Sequence, residues 1–77
     1  MTDRNDVKAR MAEFLQQPTD RLGEEMVLGD LVSDSMILVN MVIELQEEFG
    51  VRLVHHDLEH VTTVGQLLTV FENKFPG

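Results

Sequence analysis

Apolar residues recur at helical spacing in three stretches of the chain. The first runs from Asp6 to Gln17, where Val7, Met11, Phe14 and Leu15 share one side and Pro18 follows as a stop. The second, Ser35 to Phe49, carries the strongest signal. There Leu38, Met41, Val42, Leu45 and Phe49 fall at i, i+3, i+4, i+7 and i+11, and Gly50 is placed to end the helix. The third opens at Thr63-Val64-Gly65-Gln66, which reads as a capping box, and places Val64, Leu67, Leu68, Phe71 and Phe75 on one side before Pro76 and Gly77. After Arg52-Leu53-Val54, the segment His55-His56-Asp57-Leu58-Glu59-His60 reads as a short helical turn. No alternating strand pattern accompanies these helices. The pattern predicts an all-α fold, a small four-helix bundle of three main helices and one short one. The connection between its first two helices is long, from Pro18 to Asp34, and Leu28 and Leu31 are expected to pin it to the core.

The 35–49 helix has more apolar residues than one core face needs. Met36, Val39 and Ile43 form a second stripe at i, i+3 and i+7, with Asn40, Glu44 and Glu47 around it. An apolar stripe bordered by acids suits a helix that docks a partner; equally, it suits a central helix wrapped on several sides.

The second stripe starts beside Ser35, a lone hydroxyl in the run Leu31-Val32-Ser33-Asp34-Ser35-Met36. Asp34 is the natural N-cap, which leaves Ser35 at the first helical position with its hydroxyl outward. A serine nucleophile needs a base, an orienting acid and an oxyanion hole, and the sequence has no Gly-x-Ser-x-Gly elbow. A phosphodiester on Ser35, by contrast, would sit at a helix N-terminus, where amides and dipole favour negative charge. A capping serine with no further role is the plainer alternative.

Length and charge narrow the function classes. A chain of 77 residues predicts a single domain over 1–77 with a small core and no walled catalytic cleft. Cysteine is absent, so neither disulfides nor thiolate metal sites are available, and a reducing compartment fits. The start, Met1-Thr2-Asp3-Arg4-Asn5-Asp6, reads as a natural one without a signal peptide, and no apolar run is long enough to span a membrane. A soluble, cytoplasmic chain is expected. Net charge is −8, and residues 1–22 balance, so the whole excess lies in residues 23–77, where ten acids face Arg52 and Lys74. Such a surface disfavours nucleic acid and anionic lipid and favours basic protein partners. His56 and His60, four apart with Asp57 and Glu59 nearby, have the spacing of a metal pair, but solvated surface histidines are the commoner case and no metal is expected. The glycines have no phosphate-cradle spacing.

The segment Leu31-Val32-Ser33-Asp34-Ser35-Met36 resembles the Leu-Gly-x-Asp-Ser-Leu motif of acyl and peptidyl carrier proteins. Asp30-Leu31 before it, Glu47-Glu48-Phe49-Gly50 at the end of the second helix, and Val61-Thr62-Thr63-Val64 at the opening of the last extend the likeness over roughly residues 5–75. The resemblance implies a carrier, not an enzyme, that holds acyl or aminoacyl intermediates as thioesters. It implies a 4′-phosphopantetheine cofactor taken from coenzyme A and attached at Ser35, with Asp34 as its motif partner. It also places Met36, Val39, Asn40, Ile43 and Glu47 on the helix that partner enzymes recognise. The partners it implies are a phosphopantetheinyl transferase, a loading enzyme and downstream synthases, transferases or thioesterases, met by a monomeric carrier. Val32 stands where the family usually has glycine. Ile37, Asn40 and Gln46 replace residues that are often acidic in fatty-acid carriers. These departures favour a polyketide, nonribosomal-peptide or other specialised pathway over fatty-acid synthesis. A pure interaction module that never carries an arm is the rival from another class.

Overall fold

The computed structural model describes residues 3–75 as four helices: α1 (Arg4–Leu15), α2 (Ser35–Phe49), α3 (His55–Leu58) and α4 (Val64–Lys74). Both main-helix predictions downstream of the loop agree with it at their starts. Helix α1 begins two residues before the predicted Asp6 and ends two before Gln17. Its true start is polar, so hydrophobic spacing did not show it. The Asp3 carboxylate accepts from Asn5 N at 2.9 Å and Asp6 N at 3.2 Å, and the Asp6 carboxylate accepts from Asp3 N at 3.1 Å. At the other end Gln16 turns left-handed (φ 57°) and its N–H donates to the Ala12 and Glu13 carbonyls, while Gln17, the residue ahead of Pro18, stands outside the helix as that position favours. The predicted stop at Pro76 and Gly77 lies outside the described residues.

The core is one cluster. Val7, Met11 and Ala12 of α1, Met41 and Leu45 of α2, and Val64, Leu67, Leu68 and Phe71 of α4 are buried, joined by Leu22, Leu28 and Val51 from the connections. Helix α1 packs on both α2 and α4. Phe75 falls just beyond α4 in extended backbone and tilts its ring against Phe49, 6.2 Å between centroids. Gly50 ends α2 at φ 64°, a conformation that suits glycine.

The long connection is the part the hydrophobic pattern under-described. Leu28 is buried and Leu31 packs against the core, as predicted, but Leu22 is buried too. Short 3₁₀ turns at Thr19–Arg21 and Leu28–Asp30 shape it. Its middle is zipped to the start of α4 by main-chain bonds: Leu28 N to Thr62 O at 2.8 Å, Val64 N to Met26 O at 3.0 Å and Gly65 N to Glu24 O at 2.8 Å. An isolated antiparallel bridge, Val27 to Thr63, results. These bonds give partners to amides that the first turn of α4 would otherwise leave free.

Arg4 seals the same seam. Its guanidinium meets Glu24 of the connection at 2.6 Å and Glu72 of α4 at 3.2 Å, and also reaches Thr69 Oγ1 and the Gly65 carbonyl, each at 3.4 Å. A fork of five donors is suited to bridging three segments in this way.

Gly65, in the first turn of α4, is what lets the connection approach. A β-carbon there would stand 3.0 Å from Glu24 Cβ and 3.1 Å from the Glu24 carbonyl oxygen. Gly65→Ala therefore loses by crowding, about 1–3 kcal/mol, more than it gains in helix propensity, about 1 kcal/mol. The net expectation is a loss of about 1 kcal/mol, a fall of several degrees in Tm. Urea and thermal unfolding of the variant check it; a more stable variant would mean that the connection yields at no cost.

Candidate functional site

The N-terminus of α2 is built by Asp34. Its backbone is extended (φ −141°, ψ 128°), its carboxylate Oδ1 accepts from Met36 N at 2.9 Å, and its carbonyl accepts from Ile37 N at 3.0 Å. The cap predicted from sequence is therefore present. It sets Ser35 as the first residue of the helix, exposed to solvent. Val32, where the resemblance led us to expect a glycine, keeps a negative φ. No left-handed turn is needed ahead of the cap, so valine there brings no backbone strain.

Successive residues on α2 are turned by about 100°, and this divides the helix into two sides. Met41 and Leu45 are buried, with Leu38, Val42 and Phe49 packed against the core beside them. On the opposite side Met36 is 58% exposed, and Val39 and Ile43 are each 48% exposed. The second stripe is thus about half exposed in the isolated chain, against the alternative of a central helix wrapped on several sides. Asn40 and Glu47 are exposed on the same side. Glu48 leans instead toward α1, 3.8 Å from Arg10. The outward face accordingly has an apolar centre bordered by the exposed carboxylates of Glu44 and Glu47.

Between α2 and α3 lies an apolar groove of about 290 Å³ that sequence reasoning did not foresee. Leu38, Val39, Val42 and Ile43 form its α2 wall, Leu58 and Val61 the opposite side, and Leu28, Met41 and Leu67 its floor. It begins one turn from Ser35. Its one polar wall residue is Gln46, whose Oε1 accepts from Leu53 N at 2.8 Å and so ties the 50–54 connection to α2.

Helix α3 is held from below. The Asp57 carboxylate accepts from Val54 N at 3.0 Å and meets Lys74 Nζ of α4 at 3.2 Å. The amide bond first, and then Lys74, hold the Asp57 carboxyl below its ordinary value of 3.8. His56 sits 3.2 Å from Glu59, but His60 lies beyond the end of α3, so His56 and His60 do not share a regular helical face. Among the described residues no group of three or more histidines and carboxylates is placed to hold a metal ion. No described helix is long and apolar enough to cross a membrane.

The described residues thus bring together an exposed hydroxyl at a capped helix N-terminus and a bare apolar face on the same helix. Residues 5–71 match the family described as the phosphopantetheine attachment site, and the chain belongs to that family of carrier proteins. The acyl carrier protein of Thermotoga maritima is 36% identical over 69 residues, which cover 88% of this chain and 85% of that protein. The family's cofactor is 4′-phosphopantetheine, held covalently, and the protein is a carrier, not itself an enzyme. It works with a phosphopantetheinyl transferase and with biosynthetic enzymes.

The residues present fit that cofactor. The α2 N-terminus offers the favourable end of the helix dipole to a phosphodiester, and the exposed Ser35 hydroxyl leaves room for it. Asp34 Oδ1 already accepts from the Met36 amide, so that amide is satisfied by the cap.

Losing that cap exposes the dependence of the site on Asp34. Asp34→Ala is expected to cost about 1 kcal/mol and to fray the first turn of α2, whereas Asp34→Asn, which keeps a capping oxygen, costs less. Amide hydrogen exchange of Met36 and Ile37 reads the fraying directly. Equal protection in wild type and Asp34→Ala would contradict the assignment.

Proposed function

We propose that Ser35 is the residue that bears the phosphopantetheine arm, and that this chain is a single carrier domain, residues 1–77, acting as a monomer in the cytoplasm. The observation that carries the reading is the placement of Ser35: exposed, first in α2, and set there by the Asp34 cap. Ser35 Oγ forms a bond to the pantetheine-bearing phosphorus of coenzyme A. The phosphoanhydride bond breaks, adenosine 3′,5′-bisphosphate leaves, and the hydroxyl proton passes to a base of the transferase. The arm's terminal thiol supplies the thioester chemistry when bound. The protein's own residues orient and display it.

Partners meet the outward side of α2. Met36, Val39 and Ile43 supply apolar contact, Asn40 a neutral polar contact, and Glu47 a charge for a basic residue of the partner. An acidic chain speeds encounter with basic docking patches, while the charge-poor centre of the face makes the docked complex depend on apolar burial. Ile37, Asn40 and Gln46, standing where fatty-acid carriers often have acids, favour a specialised polyketide or nonribosomal-peptide pathway, with a loading enzyme and downstream synthases, transferases or thioesterases as partners. The groove between α2 and α3, one turn from Ser35, gives an acyl chain on the arm an apolar place to rest.

Incubation with a broad-specificity phosphopantetheinyl transferase and coenzyme A, followed by intact mass, tests both halves. Wild type is expected to gain one phosphopantetheine and Ser35→Ala none. Ile43→Glu, which puts a charge at the centre of the apolar stripe, is expected to be modified with kcat/KM lowered about tenfold, equivalent to about 1.4 kcal/mol of lost docking. Addition to Ser35→Ala would reject Ser35 as the site. Unchanged kinetics in Ile43→Glu would reject the stripe, and no addition to a folded wild type would leave only the interaction module.

A further inference from the structure

The groove between α2 and α3 is lined by nine apolar residues and one amide, Gln46. An apolar lining alone would accept any aliphatic chain and distinguish little among them. The amide changes this, because its orientation is settled by the structure. A backbone N–H can only donate, so the bond from Leu53 N at 2.8 Å fixes Oε1 as the acceptor end of the side chain. That leaves Nε2, with two hydrogens, as the other end, and it donates to no described residue. Gln46 is thus the one polar residue of the groove lining, shared with the adjoining depression of Ile43, Glu47, Val51 and Arg52, and the end of its amide left for a ligand is a donor.

Its position is equally definite. Leu38 and Val39 line the groove one turn from Ser35, and Gln46 lines it two turns further along α2, about 12 Å from Leu38 by the rise of a helix. A chain that enters from the Ser35 end reaches apolar walls first and the amide afterwards. A fully reduced acyl chain leaves Nε2 without a partner and strips water from it. A chain with a carbonyl or hydroxyl oxygen at that depth replaces the lost water bond. Discrimination by a hydrogen-bonding group in a mostly apolar site rests on this difference.

We infer that Gln46 is a specificity-determining residue of this carrier: its Nε2 hydrogens select acyl cargo bearing an oxygen acceptor away from the thioester, of the partly reduced, ketone- or hydroxyl-bearing class, over plain alkyl cargo. The inference rests on the proposed roles of Ser35 and of the groove. It also gives Gln46 two tasks at once, with Oε1 holding the 50–54 connection and Nε2 reading the cargo.

The two tasks separate in Gln46→Glu, which keeps an acceptor for Leu53 N and removes both donors. Wild type and variant are loaded by a transferase with octanoyl-pantetheine, or with the same chain carrying one ketone at mid-chain or next to its terminus, from the corresponding coenzyme A derivatives. Groove occupancy is read from the methyl resonances of Val39, Ile43 and Leu58, and the donor from the Gln46 side-chain amide resonance. Protection of the thioester from hydroxylamine is compared as a cycle of cargo against variant, so that intrinsic reactivity cancels. For at least one ketone position, wild type is expected to protect the oxygen-bearing cargo about two- to tenfold more than octanoyl, with a downfield shift of the Gln46 amide protons. The preference is expected to vanish in Gln46→Glu. Gln46→Met, of similar length and without a donor, repeats the comparison, and the wild-type resonances stand without any variant. Equal protection of all cargoes, with groove methyls responding, overturns the role of Gln46 and leaves the groove in place. Silent groove methyls in a loaded protein overturn the groove and this inference together, while failure to load overturns carriage.

Discussion

In a bundle this small, one helix cannot bury its whole circumference. Helix α2 touches the core along Leu38, Met41, Val42, Leu45 and Phe49, and the remaining elements are too few to cover the other side. What is left bare is therefore decided by the rotation of α2 about its axis. That rotation is set at the ends: by Asp34, which captures the Met36 amide, and by Gly50, which turns the chain out at positive φ. The exposed Met36, Val39 and Ile43 stripe and the outward Ser35 are consequences of burying Met41 and Leu45. The bare stripe and the core are two readings of the same helical spacing.

The connection before α2 completes the arrangement. It would be a floppy segment if Leu22 and Leu28 were its only anchors, yet main-chain bonds and the Arg4 fork fasten it to the first turn of α4. Exposed ion pairs of this kind contribute little singly, and the guanidinium gains by serving two carboxylates from a half-buried position. Gly65 permits the close approach, so a residue that weakens α4 as an isolated helix strengthens the assembly. Asp34 is thereby approached from a fixed direction by the chain that carries it.

Most of this was legible in the sequence where periodicity and caps speak directly. The α2 boundaries, its two stripes, the Asp34 cap and the Thr63–Gln66 box follow from local chemistry, and the structure contains each of them. The start of α1 was missed because its signal, Asp3 against Asp6, lies ahead of any apolar residue. The Arg4 bridge, the zipped connection and the α2–α3 groove join residues up to 68 positions apart, and no local pattern encodes such meetings. The supposed His56–His60 face failed for a related reason: α3 stops at Leu58, two residues short of His60. Gln46 was visible only as a missing acid, and its bond to Leu53 N shows what the amide does in that place.

The central claim is that the Asp34 cap presents Ser35, and not its neighbour Ser33, to the enzyme that adds the arm. Both serines are exposed and only two residues apart, but Ser35 alone belongs to α2. Fragmentation mass spectrometry of the modified protein, on a peptide that contains both, separates them residue by residue. The account predicts that every fragment retaining Ser35 carries the phosphopantetheine and that fragments ending at Asp34 do not. Modification on Ser33, or divided between the two serines, would contradict it.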